Sequence, residues 1–119
     1  MQVTIDALEG YLAQQYCGRA GEQALFMKLV EEVGEVAEVL NKRGGRKASD
    51  GADLATELGN ELADVIHYAV AIAAVNGLNL NDILLEKDRR ASVKYHHNID
   101  LETFILKNSR QETSGNDVL

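Results

Sequence analysis

Apolar residues recur along this chain at the three-to-four-residue spacing of amphipathic helices, and four stretches carry the pattern. The spacing predicts helices over 5–16, 22–41, 53–76, and from Asn79 or Asn81 to about 95–97. Thr4 or Asp6 suits the first N-cap, and Gly77 suits the C-terminal end of the third helix. Gly18 and Gly21 separate the first two helices. Glycines and charge make 42–51 a loop. On the second helix Leu25, Leu29, Val33, Val36 and Leu40 form the expected apolar stripe, and on the third Leu58, Leu62, Val65, Ile66, Ala69 and Ala73. A final helical turn or two is expected over 99–106, with Asp100 as its cap. Beyond it the chain is polar, so 1–108 reads as one helical domain and 109–119 as a flexible tail.

Composition supports an all-α bundle of about four helices. The 119 residues contain no Pro and no Trp, and aromatics reach only 5%, so the core is aliphatic. A domain this small buries its remaining apolar stripes by oligomerising, which completes the bundle. The formal charge of −7 argues against a nucleic-acid-binding surface, which needs excess Lys and Arg. It leaves room for an anionic substrate, because bound divalent cations reverse the local charge. One cysteine, Cys17, excludes an intrachain disulfide and fits a reducing cytoplasm. Met1 to Asp6 lacks the basic and apolar regions of a signal peptide. The weakly polar stretch 65–75 is interrupted by His67 and is too short to span a bilayer, so no membrane association is expected.

The acids change the picture most. Glu32 and Glu35 are spaced i, i+3 on the second helix, and Glu61 and Asp64 are spaced likewise on the third. Such residues share a helix face. Both pairs lie about two to three turns from the intervening loop, so an antiparallel pair of helices brings four carboxylates level. Glu57 falls in the same arc as Glu61 and Asp64. A solvated charged face is the plain alternative, but it usually balances Glu with Lys or Arg one turn away. No basic residue occurs between Val30 and Leu40, or between Ala52 and Val75. Crowded hard oxygen donors without counter-charge suit Mg²⁺ or Mn²⁺.

The basic residues sit elsewhere. Lys42, Arg43, Arg46 and Lys47 cluster in the loop, and Lys87, Arg89, Arg90 and Lys94 lie on the fourth helix. Either group could aid solubility or contact a polyphosphate, and the fourth helix is the better candidate for contact. Asp64 and His67 make a single acid-x-x-His string, whereas a di-iron bundle needs two, so His67 is read as a packing or interface residue. His96 and His97 are expected to interact with a helix C-terminus. Cys17 has no partner for nucleophilic catalysis. Gly34 and Gly59, inside helices, would be explained by close helix approach or by room for a ligand.

Taken together, Glu32-Val33-Gly34-Glu35, twenty-five intervening residues, and Glu61-Leu62-Ala63-Asp64 resemble the E-x-x-E…E-x-x-D signature of the MazG-like, all-α nucleoside triphosphate pyrophosphohydrolases. The resemblance extends over about 24–95. It implies Mg²⁺-dependent cleavage of a nucleoside triphosphate to the monophosphate and pyrophosphate. By position, Glu32, Glu35, Glu61 and Asp64 would be metal ligands, and Glu31 or Glu38 an outer contact or the base that activates water. The family often carries a K-[FY]-x-x-R-like string late in the following helix. Lys94-Tyr95 matches its start, but the Arg is missing, which shifts the expected phosphate contact among Lys87, Arg90 and Lys94. The family also implies a homodimer or homotetramer. The leading expectation is a cytoplasmic enzyme of nucleotide-pool house-cleaning. Phosphoribosyl-ATP pyrophosphohydrolase, dCTP or dUTP pyrophosphatase, and a non-catalytic, metal-stabilised helical dimer stay open as alternatives.

Overall fold

The caps written into the sequence start the helices. Thr4 Oγ1 accepts a hydrogen bond from the Ala7 amide at 3.0 Å and opens α1 (Ile5–Tyr16). Gly21 precedes α2 (Glu22–Arg43), whose acidic first residue and basic Lys42 and Arg43 at the other end match the helix dipole. Asp53 opens α3 (Leu54–Val75), accepting from the Thr56 amide at 3.2 Å and the Thr56 hydroxyl at 2.6 Å. Those bonds hold the Asp53 carboxyl below the usual range. After α3 the chain turns through Gly77 at φ +66°. The Leu78 amide bonds back to the Ala73 carbonyl, and the Gly77 amide to that of Ala74. This is a Schellman ending, and it needs the left-handed conformation that glycine adopts without strain. Two further helices follow, α4 (Leu80–Lys94) and α5 (Leu101–Asp117).

The computed structural model describes residues 1–45 and 53–117. Among them every regular element is a helix, as the composition implied. Five helices form where about four were expected. The difference is α5, which continues from the expected turn at 99–106 through Asp117. Its start is strongly fixed: Asp100 accepts from the Thr103 amide at 2.9 Å, and Asp88 accepts from the Leu101 amide at 2.7 Å. Once nucleated, a helix extends at one hydrogen bond per residue, so polar residues suffice to continue it. Of the basic loop, Arg46 and Lys47 lie outside the described residues, and Lys42 and Arg43 belong to the last turn of α2.

The chain divides into two units, Met1–Asn79 and Leu80–Leu119. In the first, α3 is the central helix and packs against both α2 and α1. Its C-terminal half is buried through Val70, Ala71, Ala73 and Ala74. Leu12 of α1 is fully buried, and Leu25 and Val39 are the buried residues of α2. By length and composition α3 could cross a membrane, but Glu57 and Glu61 are half-buried on it and it packs on two neighbouring helices, as a core helix does. Tyr16 and His67 join α1 to α3, with Oη and Nε2 2.7 Å apart, which makes His67 a packing residue. In the second unit α4 packs on α5. The α4 ending repeats the Schellman pattern: His96 takes φ +57°, and the His97 amide donates to the Ser92 carbonyl at 2.9 Å.

The apolar stripes differ from those expected. Of the expected stripe residues Leu25, Leu29, Val36, Leu58, Val65 and Ala73 do turn inward; the seam further uses Glu32 and Val39 on α2, and Leu54, Glu61, Tyr68 and Ile72 on α3 beside the buried Val70, Ala71 and Ala74. Spacings alternate between three and four, as a packed helical seam requires. Val33, Leu40, Leu62 and Ile66 are instead about half exposed, and Ala69 is exposed. Glu32 and Glu61 both occupy inward positions where an apolar side chain would ordinarily sit.

Candidate metal centre

Helices α2 and α3 run antiparallel, since residue numbers fall on one as they rise on the other. Glu35 meets Glu61, and Glu32 lies beside Asp64. Each i, i+3 acid pair therefore meets the other level across the seam. Glu32, Glu61 and Asp64 each offer an oxygen within 4.8 Å of the others. Glu35 joins them through hydrogen-bonding contacts to Glu61 and Glu32. Three of the four acids expected to converge form this cluster, and Glu35 borders it through Glu61.

Their electrostatics show what the site lacks. The hydrogen bond to Glu35, then burial, then the hydrogen bond to Glu32, push the Glu61 carboxyl up to about 7. Burial is the main cause that raises Glu32, with the charges of Glu35 and Asp64 adding to it. The Glu61 hydrogen bond acts on Glu32 in the opposite sense, so the acids of the seam titrate as one coupled group. One oxygen each of Glu32, Glu57 and Glu61 is buried with no hydrogen-bond partner. Buried carboxylate oxygens without donors are unfavourable unless a cation meets them. Hard, closely spaced carboxylate oxygens on two rigid helices match the donor set of Mg²⁺ or Mn²⁺. Glu57, one turn before Glu61, adds a fifth acid along the seam.

Glu31 and Glu38, also on α2, are not members of this cluster. Glu31 is exposed and pairs with Lys28 at 3.2 Å. Glu38 is exposed on α2. Lys87, Arg90 and Lys94 belong to α4 in the second unit. There Arg90 Nε lies 3.7 Å from Glu86, and Lys94 Nζ lies 5.2 Å above the Tyr95 ring. One turn before Glu32 stands Lys28, just outside the stretch from Val30 to Leu40 that has no basic residue. Among the described residues no close helix approach occurs at Gly34 or Gly59, because a Cβ at either would meet open space.

Comparison with known proteins agrees with this geometry. The sequence profile of the MazG nucleotide pyrophosphohydrolase domain matches residues 20–96, which include both acid pairs. Among solved structures, the chain is similar to iMazG from Vibrio DAT 722, at 29% identity and a TM-score of 0.60. The match covers 78% of this chain and 98% of that one. No curated protein matches. With the profile spanning most of the chain, this protein belongs to the MazG nucleotide pyrophosphohydrolase domain family.

Proposed function

We propose that this protein is a Mg²⁺-dependent nucleoside triphosphate pyrophosphohydrolase, with Mn²⁺ as a second usable metal. It converts a nucleoside or deoxynucleoside triphosphate and water to the monophosphate and pyrophosphate, clearing unwanted nucleotides in the cytoplasm. The observation that carries this reading is the convergence of Glu32, Glu61 and Asp64, with Glu35, on a seam where one buried oxygen each of Glu32, Glu57 and Glu61 has no hydrogen-bond partner.

In this reading Glu32, Glu35, Glu61 and Asp64 hold the metal. When bound, the cation neutralises phosphate oxygens and orients a water for in-line attack. The acids sit on two long helices rather than on loops, so their spacing is set before substrate arrives. Glu31 or Glu38, both outside the cluster, takes the proton of the attacking water or orients a ligand carboxylate. Lys87, Arg90 and Lys94 supply phosphate contacts from α4.

The reading includes a homodimer or homotetramer. Phe26, Val30, Val33 and Leu40 of α2 and Leu62 and Ile66 of α3 are about half exposed, an apolar face that a second copy would cover. Gly34 and Gly59 leave open space for such an approach.

Product analysis over a panel of canonical, deoxy and modified nucleoside triphosphates tests the reaction. Monophosphate plus pyrophosphate, lost with EDTA, is the expected result. Orthophosphate plus a diphosphate would refute it. No product, with metal still raising the melting temperature, would favour the non-catalytic metal-stabilised dimer.

A further inference from the structure

We infer that Lys28 is a phosphate-binding residue of the α2–α3 seam, taking the part of a polyphosphate that the acid-held metal leaves uncompensated. The inference deepens the proposed reaction and rests on that reading of the seam.

Charge balance states the need. Glu32, Glu35, Glu61 and Asp64 bring up to four negative charges, and a triphosphate brings about as many. One or two divalent ions leave that assembly negative, so a protein cation is required near the acids. In the first unit the lysines and arginines among the described residues are Arg19, Lys28, Lys42 and Arg43. Lys42 and Arg43 lie ten or more residues from Glu32 on the same helix, which is about 15 Å along its axis. Arg19 precedes α2 altogether. Lys28 is four residues from Glu32, about 6 Å along the axis and on the same side of the helix.

Its surroundings fit the role. Lys28 stands one turn before Glu32 on α2, on the same side of the helix as the Glu32 carboxylate. The Lys28 side chain is 57% exposed, so its head group is open to an incoming anion. Its partner Glu31 is also exposed, and an i, i+3 surface pair of this kind is weak enough to exchange for a phosphate. The hydrogen bond and charge of Glu31, with smaller contributions from Tyr68 and Glu32, hold the ammonium above the usual lysine range, so it stays charged through neutral pH.

The test uses inorganic tripolyphosphate with Mg²⁺, which carries the phosphate chain without a base or sugar. Calorimetry on the full chain compares wild type with K28M, K28Q and K28R, and circular dichroism checks helical content. The expected result is affinity about tenfold weaker in K28M and K28Q, nearly restored in K28R, with affinity for Mg²⁺ alone unchanged. Neutral variants within twofold of wild type would overturn the inference, as would a wild type that does not bind tripolyphosphate. An arginine variant as weak as the neutral ones would assign the loss to packing and also overturn it. Pyrophosphate release from nucleoside triphosphates by the wild type is measured separately. Its absence refutes the reaction, while the tripolyphosphate result still decides Lys28.

Discussion

Glu35 and Glu61 meet across the α2–α3 seam, and the hydrogen bond between their carboxyls is the largest cause of the Glu61 shift to about 7. Such a bond requires a proton, which the metal-free protein holds between them. The folded state therefore keeps a proton that an unfolded glutamate releases near its ordinary pKa. A carboxyl raised on folding contributes stability that is lost as pH rises through the folded value. Metal-free protein is predicted to melt at falling temperature as pH increases from about 5 to about 8. Thermal denaturation in EDTA across that range checks it, and a flat or rising profile would contradict the shared proton.

Metal binding should reverse that trend, because a cation replaces the proton. Mg²⁺ or Mn²⁺ is expected to raise the melting temperature most at pH 8, with release of protons near pH 7 that calorimetry in two buffers can count. Glu61→Gln separates the effects. It removes a charge from the crowded seam, so the metal-free variant melts higher than wild type at pH 8. It also removes a ligand, so the increment from Mg²⁺ shrinks or disappears.

Glu35→Gln and Asp64→Asn are predicted to abolish turnover, by about 100-fold or more in kcat/KM, while helical content stays unchanged. Circular dichroism and pyrophosphate release measured on the same preparations check both halves. Full activity in either variant would remove it from the ligand set.

Charge placed on the exposed apolar face should break the assembly. Val33 and Ile66 are each 52% exposed within a single chain, so Val33→Glu and Ile66→Glu make few intrachain clashes. Sedimentation velocity is expected to show an oligomer for wild type and monomers for both variants. A monomeric wild type would remove the second copy from the account.

The sequence made the centre legible because its signal was local: each acid pair shares one helix turn, and helical spacing alone aligns Glu32 with Glu35 and Glu61 with Asp64. Burial was less legible. Glu32 and Glu61 occupy inward positions, which ordinary hydrophobic patterning excludes, so the patterning carries the stripes through the exposed Val33 and Leu62 although Leu25, Leu29, Val36, Leu58 and Val65 do turn inward. Helix α5 was shortened for a related reason: composition after Lys107 is polar, and propagation from the Asp100 cap has no apolar signature. The Tyr16–His67 hydrogen bond joins residues 51 positions apart, and no spacing rule reaches that far. Lys28 was hidden in plain view, as a single lysine on an otherwise acidic helix face.

The most direct test of the central claim is hydrolysis of a nucleoside triphosphate with Mg²⁺ in ¹⁸O-labelled water, followed by ³¹P NMR. Water attack at the α-phosphorus predicts the label in the monophosphate and unlabelled pyrophosphate, with no reaction in EDTA. Label in pyrophosphate would move the attack to the β-phosphorus, and products of orthophosphate and a diphosphate would contradict metal-assisted pyrophosphohydrolysis at the Glu32–Glu35–Glu61–Asp64 seam.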